Sequence, residues 1–276
     1  MRRNRLVAAA VGLFMALSIQ TLSAQTFLLQ ALPEAKATFG LRFMRPNFDG
    51  DSELSTLSGT YDLFVNVPVS SKLNLVGALP FTTVAFGGED SESGIGDIYV
   101  GLQTRNHSST ASRMGLSVGV FLPTASEDKE MTNFFGILAN YHELQRSLLN
   151  TLTLYGNLAY RSTQPGGALF GLEFGPQLFI PTKDTDDRQV ELFAHYGLAG
   201  GFRLSNVAIF GEFMGLFIAT EDFENFGDRF THSIAFGAQV TDNAVRPGIF
   251  YQIPLDEDFK EFIDGILGIK VEISPR

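Results

Sequence analysis

The chain has neither cysteine nor tryptophan among its 276 residues. Without cysteine there can be no disulfide, so a chain that leaves the cytoplasm must keep its shape by hydrogen bonding and packing alone. Without tryptophan, any aromatic belt at a membrane–water boundary falls to the 26 Phe and 7 Tyr. Beyond the first two dozen residues, no apolar run reaches the roughly 20 residues that a spanning helix needs. The nearest, Val207–Ala219, is interrupted by Glu212 and two glycines. Positive charge is scarce too: 20 Lys and Arg against 30 Asp and Glu give a formal net charge of −10. That balance argues against nucleic acid as a partner.

The first segment has the organisation of a cleavable secretory leader. Arg2, Arg3 and Arg5 form a basic start, Leu6–Leu17 an apolar core, and Leu22-Ser23-Ala24 a small-residue cleavage point. The apolar core is too short for a membrane anchor. Residues 1–24 are therefore expected to be a signal peptide and 25–276 the mature domain. Removing the three leader arginines leaves 17 basic residues against 30 acidic ones, a net charge of −13.

What the mature chain has in abundance is alternation. Leu57, Gly59, Tyr61, Leu63, Val65 and Val67 interleave with Ser58, Thr60, Asp62, Phe64 and Asn66. A period of two describes a strand with one apolar and one polar face. Likewise Met114, Leu116, Val118, Val120 and Leu122 oppose Arg113, Gly115, Ser117, Gly119 and Phe121, and near the end Ile263, Gly265, Leu267, Ile269, Val271 and Ile273, expected to face out, oppose Asp264, Ile266, Gly268, Lys270 and Glu272. The pattern predicts strands at Lys36–Arg45, Leu57–Val67, Lys72–Phe86, Ile95–Asn106, Ala111–Leu122 and Asn133–Leu144. It continues with Leu148–Arg161, Arg188–Leu204, Val207–Thr220, Arg229–Val240, Ala244–Leu255 and Phe262–Ile273. A sheet with lipid on one face and water on the other must close on itself, because hydrocarbon cannot satisfy a free edge. The expected fold is all-β: a transmembrane antiparallel up-and-down β-barrel of about 12 strands.

The connections alternate between short and long, five short turns between six long stretches, and most acidic residues fall in the long ones. Such a rhythm suits periplasmic turns and extracellular loops, with both ends of the domain in the periplasm. One segment strains the count. Ala168–Ile180 alternates as well, and it is read as a strand-like extension of the long loop after Arg161; a barrel of 14 strands is the alternative. A soluble two-sheet sandwich would alternate too. These strands, however, exceed the usual 5–6 residues and carry glycine on both faces.

Several stretches resemble the MetA-pathway of phenol degradation family, outer-membrane transporter barrels related to those for fatty acids and aromatic hydrocarbons. They are Gly94-Ile95-Gly96-Asp97-Ile98-Tyr99-Val100-Gly101-Leu102, Phe121-Leu122-Pro123-Thr124, Leu154-Tyr155-Gly156-Asn157-Leu158-Ala159-Tyr160, Tyr196-Gly197-Leu198-Ala199 through Gly211-Glu212, and Arg246-Pro247-Gly248-Ile249. The resemblance implies passive passage of small hydrophobic or aromatic molecules, with no cofactor. Partners would be outer-membrane lipid and lipopolysaccharide, the barrel-assembly machinery and the small-molecule permeant. The chain departs from common barrel usage by ending Ile273-Ser274-Pro275-Arg276, without a terminal aromatic. Only Gln25–Ala35 precede the first strand, too few for a globular plug, although Phe27-Leu28-Leu29 could lodge in the lumen.

The inward parity collects Arg42, Asp62, Asp97, Arg105, Arg113, His142, Arg161, Glu191, His195, Arg203, Glu212, Arg246 and Lys270. Most are expected to pair with one another and fix register. Asp97, Arg105, Glu212 and Arg246 lie in or beside the resembling stretches, flanked by small or apolar residues. With Arg42 and His195 they are the candidate substrate-pathway residues. No Ser-His-acid spacing or Gly-x-Ser-x-Gly element stands out, so no catalytic residue is assigned. The acidic runs lack a full calcium-loop spacing, so no metal site is assigned either. The competing readings are a closed structural or adhesive barrel, filled by Phe64, Phe121, Tyr155, Phe193, Phe210 and Phe250, and a lipid-active enzyme using His142 and His195.

Overall fold

The structure, a computed structural model, describes residues 26–32, 34–48, 57–85, 91–104, 106–107, 112–164, 166–183, 189–220 and 226–275. The leader and Arg105 lie outside the described residues.

The strands are β1 (Thr38–Asn47), β2 (Gly59–Pro68), β3 (Leu73–Val84), β4 (Glu92–Ile95), β5 (Ile98–Thr104), β6 (Asn106–His107) and β7 (Ser112–Leu122). They continue as β8 (Thr151–Thr163), β9 (Ala168–Pro181), β10 (Glu191–Leu204), β11 (Val207–Ile218), β12 (Phe230–Val240), β13 (Val245–Pro254) and β14 (Gly265–Ile273). Each pairs antiparallel with its neighbours, and β1 pairs with β14 from Phe39↔Ile273 to Asn47↔Gly265, which closes the sheet. β4, β5 and β6 are segments of one stave, so the barrel has 12 staves. Between Phe81↔Ile95 and Ala78↔Tyr99 the stave gains one residue on its partner β3. This is a β-bulge at Gly96-Asp97, which re-aims the Asp97 side chain.

Two expectations about the wall are corrected, and the corrections cancel in the count. Asn133–Leu144 is not a strand: Glu130–Ala139 forms helix α1, and Tyr141–Arg146 a 3-10 segment. Adjacent apolar pairs, Phe134-Phe135 and Ile137-Leu138, break a period of two, whereas Thr132, Phe135, Gly136 and Ala139 are buried at helical spacing. Conversely, Ala168–Ile180 is not a loop extension. It is the long stave β9, paired along its length with β8 and β10.

The faces sort as the alternation requires. Outward residues such as Leu63, Leu116, Val118, Phe174 and Ile249 are about half exposed, at 49–56%, which forms an apolar belt. Aromatic rings gather on this surface near the end that carries the long loops. Phe43 packs on Tyr61 and Tyr61 on Phe81, while Phe213, Phe230 and Tyr196 surround His232, whose Nε2 lies 2.7 Å from the Tyr196 hydroxyl. Inward residues are mostly polar and buried, among them Asp62, Asn74, Gln103, Asn157, Gln177 and Gln252.

The interior is filled from both ends. From the loop end, the connection between β7 and β8 (residues 123–150) folds into the barrel with α1. Gly136 lets it pack closely on itself and on the wall, since a Cβ there would collide with Ser147 Oγ of the same connection and lie 3.1 Å from Thr82 Oγ1 on β3. From the side of the first strand, residues 26–32 enter the lumen as a strap without regular structure, bent at Phe27–Leu29. Phe27, Leu28 and Leu29 are all at most 4% exposed, as the sequence suggested they could be.

Candidate functional site: a stoppered lumen

The strap is held by wall side chains that meet its backbone. Glu212, on β11, accepts the backbone N–H of Phe27 at 2.9 Å, Leu28 at 2.7 Å and Leu29 at 3.4 Å. Glu173, on β9, accepts the N–H of Gln30 at 2.9 Å and the Arg161 guanidinium at 3.0 Å. The strap's carbonyls are met by cations and amides. Lys270 Nζ donates to Thr26 at 2.6 Å, Arg42 Nη1 to Phe27 at 3.2 Å, Arg161 Nη2 to Gln30 at 3.1 Å, and Gln103 Nε2 to Ala31 at 2.9 Å. Burying backbone groups without partners is costly. The polar wall provides those partners, so a segment lacking secondary structure can lie inside a barrel.

The loop between β7 and β8 is held differently, by a buried charge cluster. Arg42 Nη2 contacts Asp62 Oδ2 at 2.6 Å and Glu143 Oε2 at 2.5 Å. Arg146 contacts the same Glu143 at 2.8 Å and Asp62 at 3.6 Å. Burial alone would raise the Glu143 pKa, but Arg146 and Arg42 outweigh it and hold the carboxyl well below its usual range. Neighbouring His142 is pushed down to about 4 by burial, with Glu143 only partly opposing, and its Nδ1 lies 3.2 Å from Gln252 Nε2. Arg42 therefore touches both lumen fillers.

The six sequence candidates are not one cluster. Arg42 joins the charge cluster to the strap. Glu212 receives three backbone N–H groups rather than an arginine. Arg246 pairs with Glu34 at 2.8 Å and Glu272 at 3.3 Å, near the turn end of the wall. His195 stacks on Tyr155, with ring centroids 4.9 Å apart, and its Nδ1 lies 3.0 Å from Gln177 Nε2. Asp97 is fully buried at the bulge, and its Oδ1 accepts the backbone N–H of Thr124 and of Ala125, both at 2.9 Å. That carboxylate thus fastens the start of the inward loop. Arg105 lies outside the described residues.

Parity alone does not find Glu143, Arg146 and Glu173 as partners: it puts Glu143 on the outer face of the expected strand Asn133–Leu144, Arg146 in the turn that follows it, and Glu173 in a loop extension. The helical spacing around α1 was the available signal for the first two. For Glu173, its alternation with Phe170, Leu172 and Phe174 was the signal.

Between strap, loop and wall lies a cavity of about 160 Å³. Its lining combines rings (Phe27, Phe64, Tyr99, Phe121, Tyr155) with Arg42, Glu143, Arg146, Gln177, His195 and Lys270. The bonds of His142 and His195 run to amides and a phenol, which orient a ring rather than activate a nucleophile. Among the described residues no group of three or more His, Asp or Glu could hold a metal ion. No described helix is long and apolar enough to cross a membrane, which says nothing of strands.

No protein-family model matches the sequence, and no curated protein matches it. Solved structures do. An outer-membrane channel from Pseudomonas putida F1 aligns over 91% of this chain and 99% of that one, with a TM-score of 0.62 and 13% identity. The NanC porin aligns over 86% and 99%, with a TM-score of 0.53 and 8% identity, and the KdgM porin over 87% and 99%, with 0.52 and 7%. At such identities the likeness concerns the fold: this chain is a closed antiparallel barrel of 12 staves that aligns with outer-membrane channels and porins over nearly their whole length.

Proposed function

We propose that the chain is a passive outer-membrane channel for small hydrophobic or aromatic molecules, delivered by a signal peptide and folded into the membrane by the barrel-assembly machinery. The observation that carries this reading is the division between wall and filling. The wall is apolar outside and polar inside, while the lumen is occupied by two segments that belong to no stave, leaving a ring-lined cavity between them. A barrel meant only as a solid post could be filled by its own wall side chains. The acidic outer loops would meet lipopolysaccharide, with divalent cations bridging to its phosphates, and would disfavour strongly anionic permeants. The MetA-pathway resemblance points to the same class of permeant.

The test is solute uptake into proteoliposomes, comparing toluene, phenol and benzoate with glucose. Faster entry of the neutral aromatics than into protein-free vesicles is expected, and rates equal to those of empty vesicles would remove the channel reading. The closed structural barrel remains the rival because Phe121, Phe193, Phe210 and Phe250 are inward and buried. It predicts a silent protein with or without the strap.

A further inference from the structure

The ring of Phe27 occupies a preformed slot. It is stacked between Phe210 and Phe250, with centroids 4.8 and 4.9 Å away and interplanar angles of 21° and 26°. Its floor is two glycines on adjacent staves. A Cβ on Gly237 would lie 2.3 Å from the Phe27 ring, and one on Gly248 would lie 2.6 Å from it. Beside the slot stand a carboxylate that accepts N–H groups, Glu212, and two cations that donate to carbonyls, Arg42 and Lys270. Phe27 also lines the central cavity, so withdrawal of the ring would join slot and cavity.

We propose that this slot is a binding site for a small aromatic molecule carrying an N–H donor beside a carbonyl, an aromatic amide, and that the strap occupies it as a built-in competitor. The inference rests on the channel reading and specifies the permeant-binding site within it. Each feature of the site has a counterpart in such a molecule. Two phenyl rings that stack on the occupant and a side-chain-free floor select a flat ring. Glu212 selects a donor, because a buried carboxylate without one is left unsatisfied. Arg42 and Lys270 select an acceptor, the role the strap's own carbonyls now fill. A saturated ring is thicker than the slot, and an ester lacks the donor.

The experiment uses the full-length mature protein in micelles and isothermal titration with three probes: benzamide, methyl benzoate without a donor, and cyclohexanecarboxamide without an aromatic ring. Phe27→Ala should bind benzamide at least about tenfold more tightly than the wild type, whose slot is occupied. On that variant the other two probes should bind about tenfold more weakly than benzamide, and adding Glu212→Gln should remove most of the difference between benzamide and methyl benzoate. Phe27→Leu, a milder change within the strap, should give an intermediate gain. No benzamide binding by either variant, or equal binding of all three probes, overturns the slot. Planar-bilayer recording separates this from the parent reading. If benzamide binds but the Phe27→Ala barrel stays silent, the slot stands and passage fails. If the barrel conducts but benzamide does not bind, passage stands and the slot fails.

Discussion

The two segments that fill the barrel are held by different physics. The inward loop is a structured element: α1 satisfies its own backbone, Asp97 fastens its start, and Glu143 and Arg146 lock it to Arg42 and Asp62 on the wall. The strap has no regular structure, and its backbone bonds run to wall side chains, each replaceable by water or by a ligand. Breaking one partner out of a buried charge cluster leaves uncompensated charge and costs about 3–5 kcal/mol. Exchanging neutral amide donors on a carboxylate for other donors costs far less. On the proposed reading the loop is the fixed filling that narrows the lumen, and the strap the exchangeable stopper.

The difference can be broken at either side. Glu143→Ala should have the largest effect, about 3–5 kcal/mol in urea unfolding followed by circular dichroism; a loss below about 1 kcal/mol would show that the cluster does not hold the loop. Glu212→Gln comes next. It weakens three backbone bonds to a charged acceptor, about 1.5–3 kcal/mol of strap docking. It should be read in accelerated proteolysis within residues 26–32, with the unfolding midpoint of the barrel little changed. If the midpoint fell as far as with Glu143→Ala, strap and loop would be one unit.

Acidity should sharpen the contrast. His142 sits on the loop, with its pKa lowered from 6.5 to about 4 by burial. Between those values the unfolded chain takes up a proton that the folded one excludes, so stability falls as pH drops from about 6.5 toward 4 and is fully present above that window. His142→Gln should flatten this dependence in unfolding midpoints taken at pH 7 and pH 5. An undiminished slope would place the titration elsewhere. The smallest effect is expected at the rim, where Lys183 meets Glu127 at 2.7 Å with both side chains about half exposed. Lys183→Ala should shift stability by no more than about 1 kcal/mol and lose even that in high salt. A larger shift would mean that the outer rim, and not only the lumen cluster, anchors the loop.

Much of the wall was legible because a barrel stave writes its two environments into alternate residues. Met114 to Leu122 and Leu267 to Ile273 have the faces that the alternation assigned, whereas Ile263, expected to face out, precedes the stave and is fully buried, and Asp264, expected to face in, is exposed. The two misplaced segments show where that code stops. Ala168–Ile180 alternates as a stave should, and only the requirement of an even count, with Asn133–Leu144 included in the wall, argues against it. A short window containing Phe135, Ile137 and Ala139 can satisfy a period of two and a period of 3.6 at once, and only the adjacent Phe134-Phe135 and Ile137-Leu138 pairs favour the helix. The interior was less legible. Parity gives the direction of Glu212 and Arg42 but not their partners, since those lie on a strap 185 and 15 residues away in the chain. Parity gives Asp97 its inward direction, but its partners, the N–H groups of Thr124 and Ala125 at the start of the loop, depend on the bulge. The slot for Phe27 left no trace that sequence reading could use, because its floor is two glycines brought together by the β12–β13 register.

The central claim is that the lumen of a lipid-spanning barrel is stoppered by its own strap. Single-channel recording of the mature protein with and without residues 26–32, in planar bilayers at neutral pH, tests it most directly. The account predicts rare, small openings for the intact chain and a continuously conducting pore of several-fold larger conductance once the strap is removed. Identical traces from the two proteins, or a strapless barrel as silent as bare bilayer, would contradict it.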